Sequence, residues 1–475
     1  MAFLVLIVVG VLMMGAGAGV MVAAVRSDDA HQYPSRWDPR VEAVARWVER
    51  DRGLTFRHPV AVEFLSESRY SKAARGEDDK PTAKDRKAAA DTAAAYRALG
   101  LLQGNVDLLA ASRELFDSGT LAFYDFEKKV VNVRGTKMSV ELRVTLAHEL
   151  THALQDQHFD LARITVSDSD EVMAVRSLME GDAVTTEQRY VAELPDAERR
   201  EYETSSAASS EKAKTDLSDV PDVLSAGFSA QYAIGPPFVS LVEARSRSDS
   251  PDTGAIDDVI EDPPDSTAFL FHPPDHVAGA SRGKVKAPPR GPKKYVVDDG
   301  IIGAYDLFIQ LSERIDPVQA MHAVDGWRAD SYVTRREEVG GERRVCVRAN
   351  LATASARDGD ELRSALEKWA ATLPAASSAT VSGQGRQAAF RTCDPGPDAA
   401  VGVTGRSSDA LAYPAARLQY MAEAVRAGVP EQDAFCEADV VISGLPLDDL
   451  TASELSDSLQ RRILELRSKA ERTCG

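Results

Sequence analysis

Apolar and polar residues alternate along the chain at two spacings, one typical of helices and one typical of strands. Helical spacing of apolar residues runs through residues 139–154, and a second helical pattern runs from about residue 170 to residue 191. Two short stretches of strand composition, 121–126 and 130–133, come directly before the first of these helices. The pattern therefore predicts an α+β fold in which a strand pair leads into a long helix.

The same patterns divide the chain into four regions. The first is a short apolar segment, the second carries the two long helices, the third alternates strands and helices in an α+β arrangement, and the fourth is helical. Polar insertions are expected in the second region, near residues 195–219 and 245–264. The four predicted regions are residues 1–25, 26–294, 295–395 and 396–475.

The stretch His-Glu-Leu-Thr-His, at residues 148–152, lies within the first of the two long helices. Because residues four apart share one face of a helix, His148 and His152 can bind the same metal ion, and Glu149 lies beside them to accept a proton. A catalytic zinc ion usually has three protein ligands and one open position for water. The motif therefore predicts a zinc site that needs a third ligand.

Two residues are candidates for that third ligand, Glu180 in the second long helix and His158, six residues after His152. His158 takes the position of the third histidine in the metzincin pattern, where a glycine ends the helix early so that the last histidine turns back. Gln155 stands at that glycine position and favours a continued helix, in which His158 would turn away from the metal face. The spacing therefore favours Glu180.

These residues resemble the gluzincin branch of zinc metallopeptidases. The motif at 148–152, followed by Glu-Gly-Asp-Ala at 180–183, is similar to the arrangement in uncharacterised bacterial membrane-anchored or exported proteins with HExxH and EGDA motifs. Weaker similarity extends over about residues 40–370. The resemblance implies a zincin-like catalytic domain, with a small mixed sheet edge, the motif helix and a second ligand-bearing helix.

The resemblance also implies the reaction, which is zinc-dependent hydrolysis of peptide bonds in a peptide or protein substrate. Zn²⁺ would be bound by His148, His152 and Glu180, and would lower the pKa of a bound water to about 7. Glu149 would act as general base and proton shuttle, and not as a ligand. An extended peptide could pair with the sheet edge next to the motif helix.

The residues that support the zinc ion and the reaction intermediate are less well defined by the sequence. Tyr232 and His272 are candidates for stabilising the oxyanion of the tetrahedral intermediate. Gluzincins of the thermolysin type carry an aspartate four residues after the ligand glutamate, which supports a zinc-bound histidine. Val184 stands at that position here, and Asp182 or Asp156 could substitute for the missing aspartate.

The start of the chain predicts a membrane location. Residues 2–25 contain no charged side chain, and 24 helical residues span about 36 Å, which is enough to cross a bilayer. We expect a single-pass N-terminal anchor, with a cleaved signal peptide as the alternative because small residues lie near its end. Arginines follow the segment and by the positive-inside rule would draw the remainder toward the cytoplasm.

The four cysteines favour the opposite, extracytoplasmic side. All of them lie after residue 345, and none has the spacing of a cysteine zinc site. Pairing Cys346 with Cys393 and Cys436 with Cys474 would suit an oxidising compartment. Four reduced thiols and a different pairing are the alternatives.

Charge and composition narrow the range of partners. The net charge of -18 argues against nucleic acid as a ligand. The leading interpretation is a membrane-anchored zinc metallopeptidase. The alternative is a catalytically inactive envelope protein that keeps the zincin fold as an interaction scaffold, since a fold does not by itself imply activity.

Overall fold

The computed structural model describes most of the chain after its N-terminal segment and contains both helices and small sheets. The described residues are 33–75, 81–117, 121–159, 161, 168–246, 253–277, 279–452 and 456–474. The prediction of an α+β fold is confirmed. The predicted membrane anchor, residues 1–25, lies outside the described residues. Within those residues, no helix has both the length and the apolar character required to cross a membrane.

Nineteen α-helices are formed by the described residues. They are α1 Glu42–Arg52, α2 Glu67–Arg75, α3 Ala83–Leu99, α4 Leu108–Asp117, α5 Val140–Phe159, α6 Ser169–Glu193, α7 Asp196–Asp216, α8 Asp222–Ala244, α9 Thr253–Glu261, α10 Ala268–Phe271, α11 Pro273–Val277, α12 Gly303–Ser312, α13 Pro317–Asp325, α14 Ala356–Thr372, α15 Ser407–Ala410, α16 Ala412–Arg426, α17 Glu431–Ile442, α18 Leu447–Leu450 and α19 Asp457–Cys474.

Eight strands form two sheets in the same part of the chain. They are β1 Ala61–Leu65, β2 Ala122–Asp125, β3 Val130–Arg134, β4 Val296–Gly300, β5 Trp327–Val339, β6 Glu342–Thr353, β7 Thr380–Ser382 and β8 Gln387–Cys393. The first sheet has the order β1-β3-β2, with β1 parallel and β2 antiparallel to β3. The second sheet is antiparallel and has the order β4-β5-β6-β8-β7.

The strand pair predicted before the motif helix is present as β2 and β3. The side chain of Asp125 fixes the turn between them by accepting hydrogen bonds from the backbone N–H groups of Glu127 and Lys128, at 3.0 and 2.9 Å. After β3, Ser139 Oγ accepts the backbone N–H of Leu142 at 3.1 Å at the start of α5. Strand β2 is thereby held as the outer strand of the first sheet, next to α5.

The two helices that carry the motif residues and Glu180 belong to different apolar clusters. Residues of α5 pack with α1 and the first sheet in one cluster. Residues of α6 pack with α8, α12 and α16 in a larger cluster that extends to α19. The polar residues of the candidate site lie where α5 meets α6, so they are buried between the two apolar clusters.

A close contact between glycines sets the position of α6 against α8. A Cβ atom added to Gly181 would lie 2.5 Å from the carbonyl carbon of Gly235, and one added to Gly235 would lie 2.2 Å from the carbonyl oxygen of Ser177. Such distances are shorter than real Cβ contacts, so both positions require glycine. Since Gly181 directly follows Glu180, this contact also determines where the Glu180 side chain begins.

Two disulfides join elements of the C-terminal half, and both pairings are as predicted. Cys346 on β6 is bonded to Cys393 at the directly opposite position on β8. Cys436 on α17 is bonded to Cys474 at the end of α19. The polar stretch expected near residues 195–219 is ordered as the long helix α7.

Candidate metal centre

Helices α5 and α6 bring three metal-binding side chains to one point. Oε2 of Glu180 lies 3.2 Å from Nε2 of His148 and 3.3 Å from Nε2 of His152. The two Nε2 atoms are 3.1 Å apart. The ligand-type atoms of the three residues all lie within 4.8 Å of one another, as the ligands of a single ion would. Four-residue spacing on one helix and a facing helix suffice to produce this arrangement.

The three side chains are removed from water. His148 is fully buried, while His152 and Glu180 are each 3% exposed. Burial acts to raise the pKa of the Glu180 carboxyl, but the two imidazoles outweigh it and lower that pKa to about 2. Burial alone would lower the pKa of His148, yet Glu180 and Glu187 raise it well above its usual value. The site therefore strongly favours positive charge, as a proton or a metal ion.

A hydrogen bond to the ring of His152 orients its Nε2 atom as an acceptor. Nδ1 of His152 lies 3.0 Å from Oε1 of Gln155, whose amide nitrogen donates to Asp182 at 2.7 Å and to the Met179 carbonyl at 3.1 Å. Because the Gln155 oxygen can only accept, His152 carries its proton on Nδ1. The Nε2 lone pair is then directed at His148 and Glu180. Two imidazole nitrogens and a carboxylate oxygen form the donor set of a zinc site, so these residues fit the ion.

Glu187 supports His148, and the sequence reasoning missed it. Its Oε2 atom lies 3.3 Å from Nδ1 of His148, and its Oε1 atom accepts the hydroxyl of Tyr202 at 3.3 Å. Glu187 follows Glu180 by seven residues, which is close to two turns of α6 and brings both carboxylates to the same face. The seven-residue spacing is present in the sequence, whereas the thermolysin-type pattern places the supporting carboxylate at position 184, where this chain has valine.

Asp182 supports His152 through Gln155. It accepts the Gln155 amide, and it also forms an ion pair with Arg52 of α1, at 3.0 Å. Arg52 is 1% exposed and has a second partner in Asp257, at 2.6 Å. The chain Arg52–Asp182–Gln155 thus fixes the ring of His152. Asp182 was one of two candidates for such support, while the part played by Gln155 was not anticipated.

Asp156, the other candidate, lies outside this network. It accepts the hydroxyl of Tyr124 and the Lys129 ammonium, each at 2.7 Å, and so ties α5 to the hairpin of β2 and β3. His158, the alternative third ligand, turns away from the histidine pair, and its Nε2 atom lies 2.8 Å from the carbonyl oxygen of Thr55. The structure brings Glu180 to the two motif histidines and leaves His158 at the far end of α5.

Glu149 is placed between the histidines and the outer strand of the first sheet. Its Oε2 atom accepts the backbone N–H of Tyr124 on β2 at 2.8 Å. Its Oε1 atom is buried and has no hydrogen-bond partner. Burial raises the pKa of the Glu149 carboxyl to about 7, although the charges of His148 and His152 act to lower it. A carboxylate with this pKa can take up and release a proton near neutral pH.

The two candidates for oxyanion stabilisation are in different surroundings. The ring of Tyr232, on α8, lies 6.5 Å from the ring of His148 and therefore borders the site. His272 is bound instead to Asp275, with Nδ1 to Oδ2 at 3.0 Å, and its ring lies 4.4 Å from that of Phe435. These contacts assign His272 to the packing of α10 and α11 against α17.

Comparison of the chain with protein-family models, with curated proteins and with solved structures finds no significant match.

Proposed function

We propose that the protein is a zinc metallopeptidase in which His148, His152 and Glu180 bind Zn²⁺ and Glu149 is the general base. The observation that supports this most strongly is the convergence of three buried ligand atoms within 4.8 Å beside a fourth side chain, the Glu149 carboxylate. Two imidazoles and one carboxylate on a helix pair leave a coordination position for water or substrate.

Bound zinc would polarise the scissile carbonyl and make a water molecule acidic enough to attack it near neutral pH. Glu149 would accept a proton from that water, because its pKa near 7 lets it act as a base, and would pass the proton to the leaving amine. Gln155 and Glu187 would hold the two imidazoles so that each Nε2 faces the ion.

A peptide substrate is favoured by the strand next to Glu149. In the first sheet β2 is an outer strand, paired on one side with β3. Backbone groups on the other side of such a strand can pair with an extended peptide. The Tyr124 N–H that Glu149 accepts lies on that side, so a bound peptide would run past the general base.

The proposal includes a location at the cell membrane, with the catalytic region on the extracytoplasmic side and the apolar residues 1–25 as a single-pass anchor. Both disulfides agree with an oxidising compartment. A reporter enzyme fused after Gly475 and assayed for export tests this part. Reporter activity on the cytoplasmic side would contradict it.

Replacing the general base tests the reaction. Glu149→Gln removes the base and keeps the shape of the side chain, and we expect it to retain zinc while hydrolysis of a peptide library falls by at least about 100-fold. Glu141→Gln, in the first turn of α5, is the matched control and should keep wild-type activity. Full activity of Glu149→Gln would refute the mechanism. Absence of both zinc and activity in the wild type would favour the inactive scaffold.

A further inference from the structure

Arg176 lies on α6 four residues before Glu180, on the same face of the helix. Its side chain is partly buried, and the Nε atom is inaccessible and has no hydrogen-bond partner. Burial lowers the pKa of the Arg176 guanidinium, and the nearby Glu180 carboxylate opposes that effect. A cationic side chain therefore lies beside the candidate metal site, in a place where water does not fully solvate it.

Other buried arginines of the described chain have close carboxylate partners. Arg52 pairs with two aspartates, at 3.0 and 2.6 Å, and Arg417 pairs with two, at 2.5 and 3.2 Å. For Arg176, no carboxylate within ion-pair distance is found among the described residues. Buried charges in proteins are ordinarily paired, so an arginine without such a partner next to a site is suited to bind an anion that arrives from outside.

Tyr232, on α8, borders the same site. It interacts electrostatically with Arg176, and its ring is 6.5 Å from that of His148. The guanidinium and this phenol therefore border the candidate ligands from α6 and α8, whereas Glu149 reaches toward β2. An anionic oxygen bound near the metal position would therefore have the guanidinium and the phenol among its neighbours.

We propose that Arg176 is the anion-binding residue of this site and donates its N–H groups to a negatively charged substrate oxygen. Two sources have this chemistry, the oxyanion formed when water adds to the scissile carbonyl and a carboxylate of the substrate itself. In the first case the carbonyl π electrons move to the oxygen as the new C–O bond forms, and the proton of the water goes to Glu149. This proposal rests on the proposed function.

Binding of small anions to the full chain tests the proposal without requiring turnover. Inorganic phosphate represents a tetrahedral oxyanion and acetate represents a carboxylate, and each is titrated by calorimetry into zinc-loaded and zinc-free protein. We expect Arg176→Gln to weaken phosphate binding by at least about tenfold, because a charge-assisted hydrogen bond is lost. Arg176→Lys should weaken phosphate binding less, since it keeps the positive charge and loses only the planar guanidinium group. Arg200→Gln, at an exposed position on α7, is the control.

The outcomes distinguish the oxyanion from a substrate carboxylate, and they separate the Arg176 proposal from the proposed function. Loss of phosphate binding alone in Arg176→Gln assigns the residue to the oxyanion, and a parallel loss of acetate binding assigns it to a substrate carboxylate. Zinc content, measured in the same samples, should be unchanged by the substitution. If the wild type holds no zinc, the proposed function fails, and the zinc-free titrations still test Arg176. Phosphate and acetate affinities of Arg176→Gln within twofold of wild type would overturn the proposal, as would failure of the wild type to bind either anion.

Discussion

Replacement of Glu187 tests whether the residues around the candidate ligands were arranged for a metal. The carboxylate lies 3.3 Å from Nδ1 of His148 and is 4% exposed, so water cannot take its place. Loss of such a supporting group typically lowers metal affinity 10- to 100-fold, which is about 1.4–2.7 kcal/mol. Glu187→Gln keeps the shape of the side chain next to Nδ1 and removes only the charge, so we expect zinc affinity to fall about tenfold. Glu187→Ala removes both the carboxylate oxygens and the charge, and we expect zinc affinity to fall about 100-fold.

The assay is competition for zinc against a chelator of known affinity, followed at constant pH. Gln188→Ala is the matched control, because Gln188 is the next residue on α6 and is exposed. The expected order of zinc affinity is wild type and Gln188→Ala, then Glu187→Gln, then Glu187→Ala. Equal affinities for all four proteins would show that the Glu187 contact does not support a metal ligand.

Three further predictions concern other parts of the structure. Gly181→Ala should destabilise the protein by about 1–3 kcal/mol in urea unfolding, because the added Cβ would meet Gly235. Gly227→Ala is the control and should be neutral or slightly stabilising, because a Cβ added there meets no atom within 4 Å. Gln155→Ala should lower zinc affinity about tenfold in the chelator assay, since His152 loses its orienting partner, and an unchanged affinity would contradict the network. Burial raises the pKa of the Asp330 carboxyl to about 7, so the folded state binds this proton more tightly than the unfolded state does. The free energy of unfolding should therefore fall as pH rises from about 4 to 7, and this slope should be smaller in Asp330→Asn. Identical slopes in the two proteins would refute the assignment.

Much of the site follows from local patterns in the sequence. Periodicity predicts α5 and α6, and the four-residue spacing of His148 and His152 predicts that they share one face. The seven-residue spacing of Glu180 and Glu187 is equally local, and reading it as two turns of one helix would have identified the partner of His148. Gln155 lies three residues after His152, so their contact also follows from helix geometry.

The remaining parts depend on contacts between residues far apart in the chain. Arg52 reaches Asp182 across a separation of 130 residues, and no spacing rule connects them. The same holds for Tyr124, whose backbone N–H meets Glu149 only because the β2–β3 hairpin packs beside α5. In the C-terminal half, the pairing of Cys346 with Cys393 was predicted from their strand context, and the register of β6 against β8 explains it.

The most direct test of the central proposal is the zinc content of the purified protein and of two single variants. After removal of loosely bound metal, we expect about one equivalent of zinc in the wild type and in His158→Ala, since His158 is bound to the Thr55 carbonyl and not to the motif histidines. Glu180→Ala should contain little zinc, because it removes the oxygen that faces both Nε2 atoms. Zinc retained in full by Glu180→Ala, or lost from His158→Ala, would contradict the proposed ligand set.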